Sequence, residues 1–244
     1  TNTTGSYNVG VGVNALRLNT TASNNTAVGM SALGANTTGD ATVAIGALAA
    51  DANTTGGDNV IIGYGAFTDN TTGSFSVAIG RDALANNTTA NHNVAVGRRS
   101  LITNTTGTNN IAMGSDSLYA NTTGDSNVAL GVGALAANTT ASNNTAVGLQ
   151  ALLSNTTGTA NTAVGALAGD AITTGSNNVA LGQGALSTED VGGRSVAVGV
   201  NALGQQNVDG NVYNTAVGHA AGNNVSTGTH NTFIGGLAGD ATTT

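Results

Sequence analysis

The stretch NTTGDATVAIGALAADANTTGGDNVIIGYGAF, residues 36–67, contains the same pattern twice. Asn-Thr-Thr-Gly begins at Asn36 and again at Asn53, and a short β-branched run ends at Gly46 and again at Gly63. Both features therefore recur with one common period. Because repetition at a fixed period is the sequence signature of a repeat architecture, this stretch decides the fold.

The repeat extends along the whole chain. The glycine that ends each β-branched run, here called the marker glycine, recurs with the same period from Gly12 to Gly199 and then, after two added residues, at Gly218 and Gly235. This spacing gives 14 repeats. Asn-Thr-Thr follows the same period from Asn2 onward, at Asn19, Asn36, Asn53, Asn70, Asn87, Asn104, Asn121, Asn138 and Asn155.

The repeat length predicts a β-solenoid. Helical repeats have about 33 residues or more and leucine-rich repeats about 20 to 29, so a period of 17 is too short for either. The β-branched run favours a strand, and Asn-Thr-Thr-Gly favours a turn because Asn and Gly adopt positive φ at low cost. We predict an all-β parallel β-solenoid, or β-roll, of about 14 coils of 17 residues, in which equivalent positions form columns.

The repeats are not uniform. They are regular over residues 1–187, lose the Asn-Thr-Thr turn and lengthen over 188–212, and resume over 213–244. We predict an irregular coil or loop insertion for 188–212. Because no capping sequence is evident, and because unpaired strand edges favour addition, an end-to-end filament is one hypothesis for self-association, which the sequence leaves open.

Two columns are expected to form the core. The residue before the marker glycine is apolar in every repeat, as in Ile45 and Met113, and a leucine usually follows four residues after the marker glycine, as in Leu33. In three variant repeats, over 46–52, 165–171 and 235–241, the leucine lies two positions earlier. We expect the corner of the coil to change there.

A third column is small and apolar. The residue two before the marker glycine should face away from the predicted core column, because side chains alternate along a strand. A strand that is apolar on both faces is normally buried on both, so either the coil folds back over this column or identical chains pack against it. We favour packing between chains. This inter-chain packing column comprises Ala27, Ala44, Ala78, Ala95, Ala112, Ala129, Ala146, Ala163, Ala180 and Ala197.

Composition excludes several classes of function. All five basic residues are arginines and the formal net charge is −7, which is unsuited to nucleic acid because phosphate recognition needs clustered Lys and Arg. No apolar run approaches the length of about 20 residues that spans a bilayer, and the chain has no Cys. The sequence predicts no nucleic-acid partner, no membrane insertion, no cofactor or metal, and no enzymatic activity.

The Asn-Thr-Thr turns allow two interpretations. Each one is also an Asn-x-Thr sequon, so the nine asparagines from Asn19 to Asn155 are candidates for glycosylation. We favour the alternative that the Asn and Thr side chains form hydrogen-bonded ladders between coils, as stacked identical polar residues do. A regular array of Thr is also compatible with ice binding, although adjacent threonines in a strand face opposite ways and leave one outward column.

Charged residues form one recognisable group. Asp82, Arg99 and Asp116 recur at intervals of one repeat, and Arg81 and Arg98 occupy the neighbouring column. Stacked coils would place them as a surface ladder of alternating charge, in which each pair stabilises the fold little. A carbohydrate-binding or catalytic patch is the alternative.

Two runs resemble a known family. Ser-Val-Ala-Ile-Gly at 76–80 and Ser-Val-Ala-Val-Gly at 195–199 resemble the head repeats of YadA-type trimeric autotransporter adhesins, whose repeat is shorter. Asn-Thr-Ala-Val-Gly at 144–148 is similar to repeats of bacterial and phage tail-fibre proteins. The resemblance covers essentially the whole chain. It implies a left-handed parallel β-roll, a homotrimer with three chains side by side, and a fibre or adhesive head on a cell surface or virion.

These observations together predict a structural or adhesive extracellular fibre segment: a surface filament, an adhesin head or a phage tail-fibre shaft. The expected partners are further copies of the chain and a host-surface or glycan receptor. Ice binding through the Thr ladders is the main alternative function, and a polysaccharide-processing solenoid is the third.

Overall fold

A computed structural model describes residues 2–243 of the chain as an all-β parallel β-solenoid, with no helix among these residues. Each coil corresponds to one sequence repeat and contributes one short strand, so the predicted fold class and repeat length are confirmed. The strands are β1 (Val9–Val11), β2 (Thr26–Val28), β3 (Val43–Ile45), β4 (Val60–Ile62), β5 (Val77–Ile79), β6 (Val94–Val96), β7 (Ile111–Met113), β8 (Val128–Leu130), β9 (Thr145–Val147), β10 (Thr162–Val164), β11 (Val179–Leu181), β12 (Val196–Val198), β13 (Thr215–Val217) and β14 (Thr232–Ile234).

The chain divides into two compact units, Thr1–Thr123 and Gly124–Thr244. The first unit contains β1 to β7 and the second contains β8 to β14. Within each unit, consecutive strands pair in parallel so that every residue lies beside its equivalent in the next repeat. Ala78 pairs with Ala95 in the first unit, and Ala146 pairs with Ala163 in the second. The sequence period is therefore also the strand register.

The irregular region 188–212 keeps the solenoid register. It contains β12, which pairs with β13 through Val196 and Thr215, two residues beyond the usual spacing. An additional parallel bridge joins Gly193 to Asn211. The two extra residues are thus accommodated in the connection before β13, and the coil continues on either side of them.

The interior of each coil is formed by alanine and leucine. The middle residue of each strand, two before the marker glycine, points inward, and Ala95 and Ala146 are 0% exposed. The leucine four residues after the marker glycine is also fully buried, as for Leu84 and Leu152. A coil this short has a narrow interior, so small side chains from the strand face large side chains from the opposite wall.

Two predictions about these columns were wrong. The residue before the marker glycine lies on the outer side of the strand, where Met113 is 45% exposed. The alanine column, from Ala27 to Ala197, is buried within a single chain, so it cannot pack between chains. The alternative in which the coil folds back over this column is correct. Alanine fits this wall where leucine fills the opposite one, and a larger residue such as the buried Ile61 enters the column in a coil next to one that lacks that leucine.

Large residues compensate where the leucine column is interrupted. Gly169 takes the leucine position in the coil of residues 165–171, and a Cβ there would lie 3.0 Å from Cδ1 of the buried Ile172. Gly239 takes it in the last coil, where a Cβ would collide with the ring of Phe233. In these two variant coils a neighbouring large residue therefore occupies the volume that the leucine fills elsewhere.

The turn prediction was correct in position and wrong in mechanism. Neither Asn36 nor Gly39 has positive φ, and alanine replaces this glycine at Ala22 and Ala90. Positive φ occurs instead at the marker glycine, where it ranges from 122° to 146°. It also occurs at the residues five before, two after and four after the marker glycine in every coil. L-residues tolerate some of these conformations at a cost of about 1 kcal/mol, which packing must offset.

Candidate functional site

The asparagine of each Asn-Thr-Thr turn forms a buried ladder. In the first unit, each Nδ2 from Asn36 to Asn121 donates to Oδ1 of the preceding Asn, at 2.7 to 3.2 Å. In the second unit, Asn155 donates in the same way to Asn138 at 3.0 Å. Asn70 Nδ2 also donates to the carbonyl oxygen of Gly73, and Asn70 Oδ1 accepts from the amide of Gly73. The ladder therefore closes each turn and links it to the adjacent coil.

The two threonines of the turn have different roles. The first threonine donates its hydroxyl to the carbonyl oxygen of the equivalent threonine in the next coil, as Thr54 does to Thr71 at 2.9 Å. The second threonine, such as Thr72, is exposed. One outward Thr column results. Because the sequon asparagines are buried and their Nδ2 atoms donate within the fold, their side chains are inaccessible to a glycosyl donor once the solenoid has formed.

A second asparagine column was not assigned a role from the sequence. It lies four residues before the marker glycine and is also buried. Asn144 illustrates its contacts: Nδ2 donates to the carbonyl oxygen of Gly158 at 2.8 Å, and Oδ1 accepts from the amide of Asn161 at 2.9 Å. The signal was available, because Asn precedes most of the β-branched runs, and a polar residue at a fixed place in every coil indicates a ladder.

The ladder changes chemistry in the second unit. Glu189 and Gln206 occupy the turn-asparagine column and both are fully buried. Glu189 Oε1 accepts from the amide of Gly192 at 2.7 Å, and Oε2 accepts from Gln206 Nε2 at 2.7 Å. Gln206 also donates to Ser195 and accepts from Asn214. Loss of hydration raises the pKa of Glu189 above its ordinary value, although the hydrogen bonds from Gln206 and Gly192 oppose this effect.

The predicted charge ladder lies in the first unit. Arg99 forms a two-point ion pair with Asp116, through Nε to Oδ1 at 2.8 Å and Nη2 to Oδ2 at 2.9 Å. Asp82 pairs with Arg81 of its own coil, at 3.2 Å. Arg98 is exposed in the column beside them. Because both carboxylates are neutralised by guanidinium groups, this arrangement suits a surface stabilising role better than acid–base chemistry.

Tyrosines cover part of that ladder. The Arg81 guanidinium lies 5.7 Å from the ring centroid of Tyr64, and that of Arg99 lies 5.2 Å from the centroid of Tyr119. Cation–π contacts of this kind contribute about 0.5 to 1 kcal/mol at exposed sites. The tyrosines therefore add one weak contact to each arginine.

The outer side of the strands carries many exposed apolar side chains. We use "outer face" for the residues three before, one before and one after each marker glycine. In the first unit it includes Met30, which is 51% exposed, and in the second it includes Leu149, which is 52% exposed. The column one before the marker glycine holds a Val, Ile, Leu or Met in all 14 coils. Each unit thus presents a continuous apolar column at strand spacing, whereas the column one after the marker glycine also contains Arg81 and Arg98 in the first unit and Gln183 and His219 in the second.

Aromatic and cationic residues cluster in the column five before the marker glycine, which we call the edge column. In the first unit, Phe75 and His92 stack with ring centroids 5.1 Å apart and planes 8° from parallel. In the second unit, Arg194 Nη1 donates to the Tyr213 hydroxyl at 2.8 Å, and Tyr213 lies 5.2 Å from His230. These stacks were not predicted, because their members belong to different repeats and only the coil brings them together.

Two other kinds of feature are absent from the described chain. No three His, Asp or Glu side chains of residues 2–243 gather into a candidate metal site. In the same range, no helix is long and apolar enough to cross a membrane. His219 lies apart from the other histidines, exposed beside the marker glycine Gly218.

The chain was compared with protein-family models, with curated proteins and with solved structures, and none of the three comparisons found a match.

Proposed function

We propose that this chain is a structural and adhesive fibre segment that self-associates outside the cell as a homotrimer, with no enzymatic activity. The observation that carries the proposal is the outer face. Val, Ile, Leu and Met occupy one of its columns in every coil although these side chains point outward.

The fold itself does not require this surface to be apolar. The interior is already filled by the alanine and leucine columns, and the turns are closed by the asparagine ladder. Polar β-branched residues would support the same strands, and Thr does so at Thr26 and Thr145. Monomeric soluble proteins rarely expose contiguous apolar patches larger than a few hundred Å², and larger ones mark interaction surfaces.

A second copy of the chain is the partner that fits this surface. The outer face repeats at strand spacing within each unit, and an identical chain presents an identical spacing, so side chains of two copies can interdigitate coil by coil. Three copies, an adhesive role and extracellular placement are supported by the resemblance of the Ser-Val-Ala-Ile-Gly and Ser-Val-Ala-Val-Gly runs to YadA-type head repeats.

Ice binding has weaker support. The hydroxyl of the first threonine in each turn is engaged by the next coil, as for Thr54, so a single outward Thr column remains. Two regular columns would make a better template for an ordered water layer. An ice-recrystallisation assay on the native protein addresses this alternative directly.

The native mass tests the proposal. Light scattering after gel filtration should give three times 23.5 kDa or a multiple of that mass. Leu149→Asp on the outer face should shift the particle toward one chain, because an unpaired charge would be buried at the interface. Thr140→Asp, at an exposed turn position of the same unit, is the matched control and should leave the mass unchanged. A wild-type particle of one chain would refute the homotrimer.

A further inference from the structure

A groove in the second unit lies beside the two-residue insertion. Its volume is about 260 Å³, and its polar lining residues are Thr174, Ser176, Asn177, Arg194 and Asn211. Pockets for drug-sized ligands have volumes of about 300 to 1,000 Å³. This groove is slightly smaller, so it suits a single small unit of a larger, extended ligand. Its position follows directly from the irregular coil, because the regular coils have no residues equivalent to the insertion.

The wall of the groove is fixed by backbone contacts. The Gly193 amide donates to the carbonyl oxygen of Gly210 at 2.8 Å, and the Val212 amide donates to that of Gly193 at 3.0 Å. A Cβ on Gly193 would lie 2.5 Å from the carbonyl oxygen of Ser176, so glycine is needed for this close approach. The insertion is therefore attached to the preceding coil and forms a preformed edge.

Arg194 is the only arginine after residue 124, and it is held in place. One of its five N–H groups donates to the Tyr213 hydroxyl, and its guanidinium lies 5.6 Å from the Tyr213 ring centroid. Tyr213 in turn lies against His230. In contrast, Arg99 and Arg81 of the first unit are paired with carboxylates. Arg194 is thus a cation oriented by contact with the Tyr213 phenol.

The lining defines a ligand chemistry. Hydroxyl and amide groups from Thr174, Asn177 and Asn211 provide both donors and acceptors, and Val191 adds one apolar contact. The Ser176 hydroxyl already accepts from the amide of Thr159 and donates to the carbonyl oxygen of Thr174. Among the described residues that line the groove, none is a carboxylate, and Arg194 supplies the single charge. A guanidinium binds carboxylates through two parallel hydrogen bonds. The complementary ligand has several hydroxyl groups and one carboxylate.

The geometry points to a binding site for a carboxylate-bearing saccharide, of the uronic-acid type, in the groove between Arg194 and Asn211. Arg194 binds the carboxylate, and the surrounding hydroxyl and amide groups bind the ring hydroxyls. Tyr213 acts as a positioning residue for the guanidinium. The inference rests on the adhesive part of the proposed function, because it identifies the class of receptor that the fibre contacts.

The test is a calorimetric titration of the full native chain with digalacturonate. The methyl ester of digalacturonate, which carries no charge, is titrated as the control ligand. Wild type should bind the acid at least tenfold more tightly than the ester. Arg194→Ser should weaken acid binding at least tenfold, whereas Arg17→Ser, which removes an exposed arginine of the first unit that lies outside the outer face, should not. Tyr213→Phe should lower the ratio of acid to ester affinity, because it removes the hydroxyl that Arg194 contacts.

Three outcomes would overturn the site: no binding at millimolar digalacturonate, equal binding of acid and ester, or full binding by Arg194→Ser. The native mass of each sample is measured alongside. A particle of three chains that binds no saccharide would reject this site and leave the fibre role standing. A single-chain particle that binds as described would reject the homotrimer and keep the site.

Discussion

Ile172 interrupts the asparagine ladder next to Asn155. Asn155 Nδ2 donates to Asn138 Oδ1 at 3.0 Å, but among the described residues its own buried Oδ1 has no hydrogen-bond partner, because Ile172 provides no donor in the next coil. A buried unpaired acceptor costs about 1 to 3 kcal/mol. The offsetting gain is that Ile172 fills the space beside Gly169.

This exchange predicts strong coupling between positions 169 and 172. Gly169→Leu alone should destabilise the fold, because the new side chain and Ile172 compete for one space. Ile172→Ala alone should cost about 2 to 4 kcal/mol by leaving a cavity. The free energy of unfolding of the double variant should fall by at least about 1 kcal/mol less than the sum of the two single losses. Leucine is compatible with this backbone, since φ of 57° at Gly169 lies close to that of the leucines in the column.

Urea denaturation of the four proteins measures this coupling. Gly169→Leu combined with Thr72→Ala, at an exposed turn position of the first unit, provides the control pair and should be additive. Additivity of the 169 and 172 changes would show that the two side chains do not share the space that the structure assigns to them.

Removing one step of the asparagine ladder should destabilise the first unit. Asn70 makes four hydrogen bonds of 2.7 to 3.1 Å, to Asn53, Asn87 and both backbone groups of Gly73. Asn70→Ala leaves these buried partners without their hydrogen bonds to Asn70. We expect the free energy of unfolding to fall by roughly 2 to 4 kcal/mol. Amide hydrogen exchange at Gly73 reports the loss locally, which avoids assuming all-or-none unfolding of a repeat protein.

Thr72→Ala in the same turn is the control for Asn70→Ala. Its hydroxyl faces solvent, so its effect should stay within about 0.5 kcal/mol. Equal protection of the Gly73 amide in wild type and Asn70→Ala would mean that the ladder contributes nothing measurable to the turn.

The marker glycine should not tolerate any side chain. Gly97 has φ of 127°, and a Cβ there would lie 2.6 Å from the carbonyl oxygen of Gly114. Gly97→Ala should therefore cost more than about 2 kcal/mol, from backbone strain and from separation of the coils. The shift of the urea denaturation midpoint measures this loss of stability.

Gly236 offers a matched glycine without either constraint. It has no positive φ, and a Cβ would lie 4.0 Å from the nearest atom outside its immediate chain neighbours. Gly236→Ala should change stability by less than about 0.5 kcal/mol. If Gly97→Ala were equally mild, the strain argument for the marker column would be wrong.

Stability should depend on pH through Glu189. Burial raises the pKa of Glu189 in the folded state above its value in the unfolded state. Between these two pKa values the folded protein binds more protons than the unfolded protein does. The free energy of unfolding therefore falls as pH rises through that range. The stabilisation is fully present below the ordinary pKa of a glutamate. The pKa values of Asp51 and Asp170 are raised by the same cause and contribute with the same sign.

A double variant isolates the part due to Glu189. Glu189→Asn with Gln206→Asn restores the residue type that forms the ladder elsewhere, while Asp51 and Asp170 remain. Urea midpoints from pH 4 to pH 8 should show a smaller decline with rising pH for this variant than for wild type. Identical profiles would indicate that Glu189 titrates normally in the fold.

Sequence alone predicted the architecture, because a fixed period is a property of the chain. The regular spacing of the marker glycines became the strand register, as in the pairing of Ala78 with Ala95, and the turn asparagines stack in the columns that the spacing implies. The charge column likewise placed Arg99 beside Asp116. Equivalent residues must lie together once each repeat forms one coil.

Only the tertiary structure decided which columns of side chains face the interior of the coil. Alternation along a strand of three residues separates Ala95 from Val96, but does not say which of them is buried. The interior of the coil decides it, since the leucines of the opposite wall leave space for a small side chain such as Ala95 in most coils. The same closure brings Arg194, Tyr213 and the insertion into one groove, a proximity that depends on how the coil winds and that no local pattern encodes.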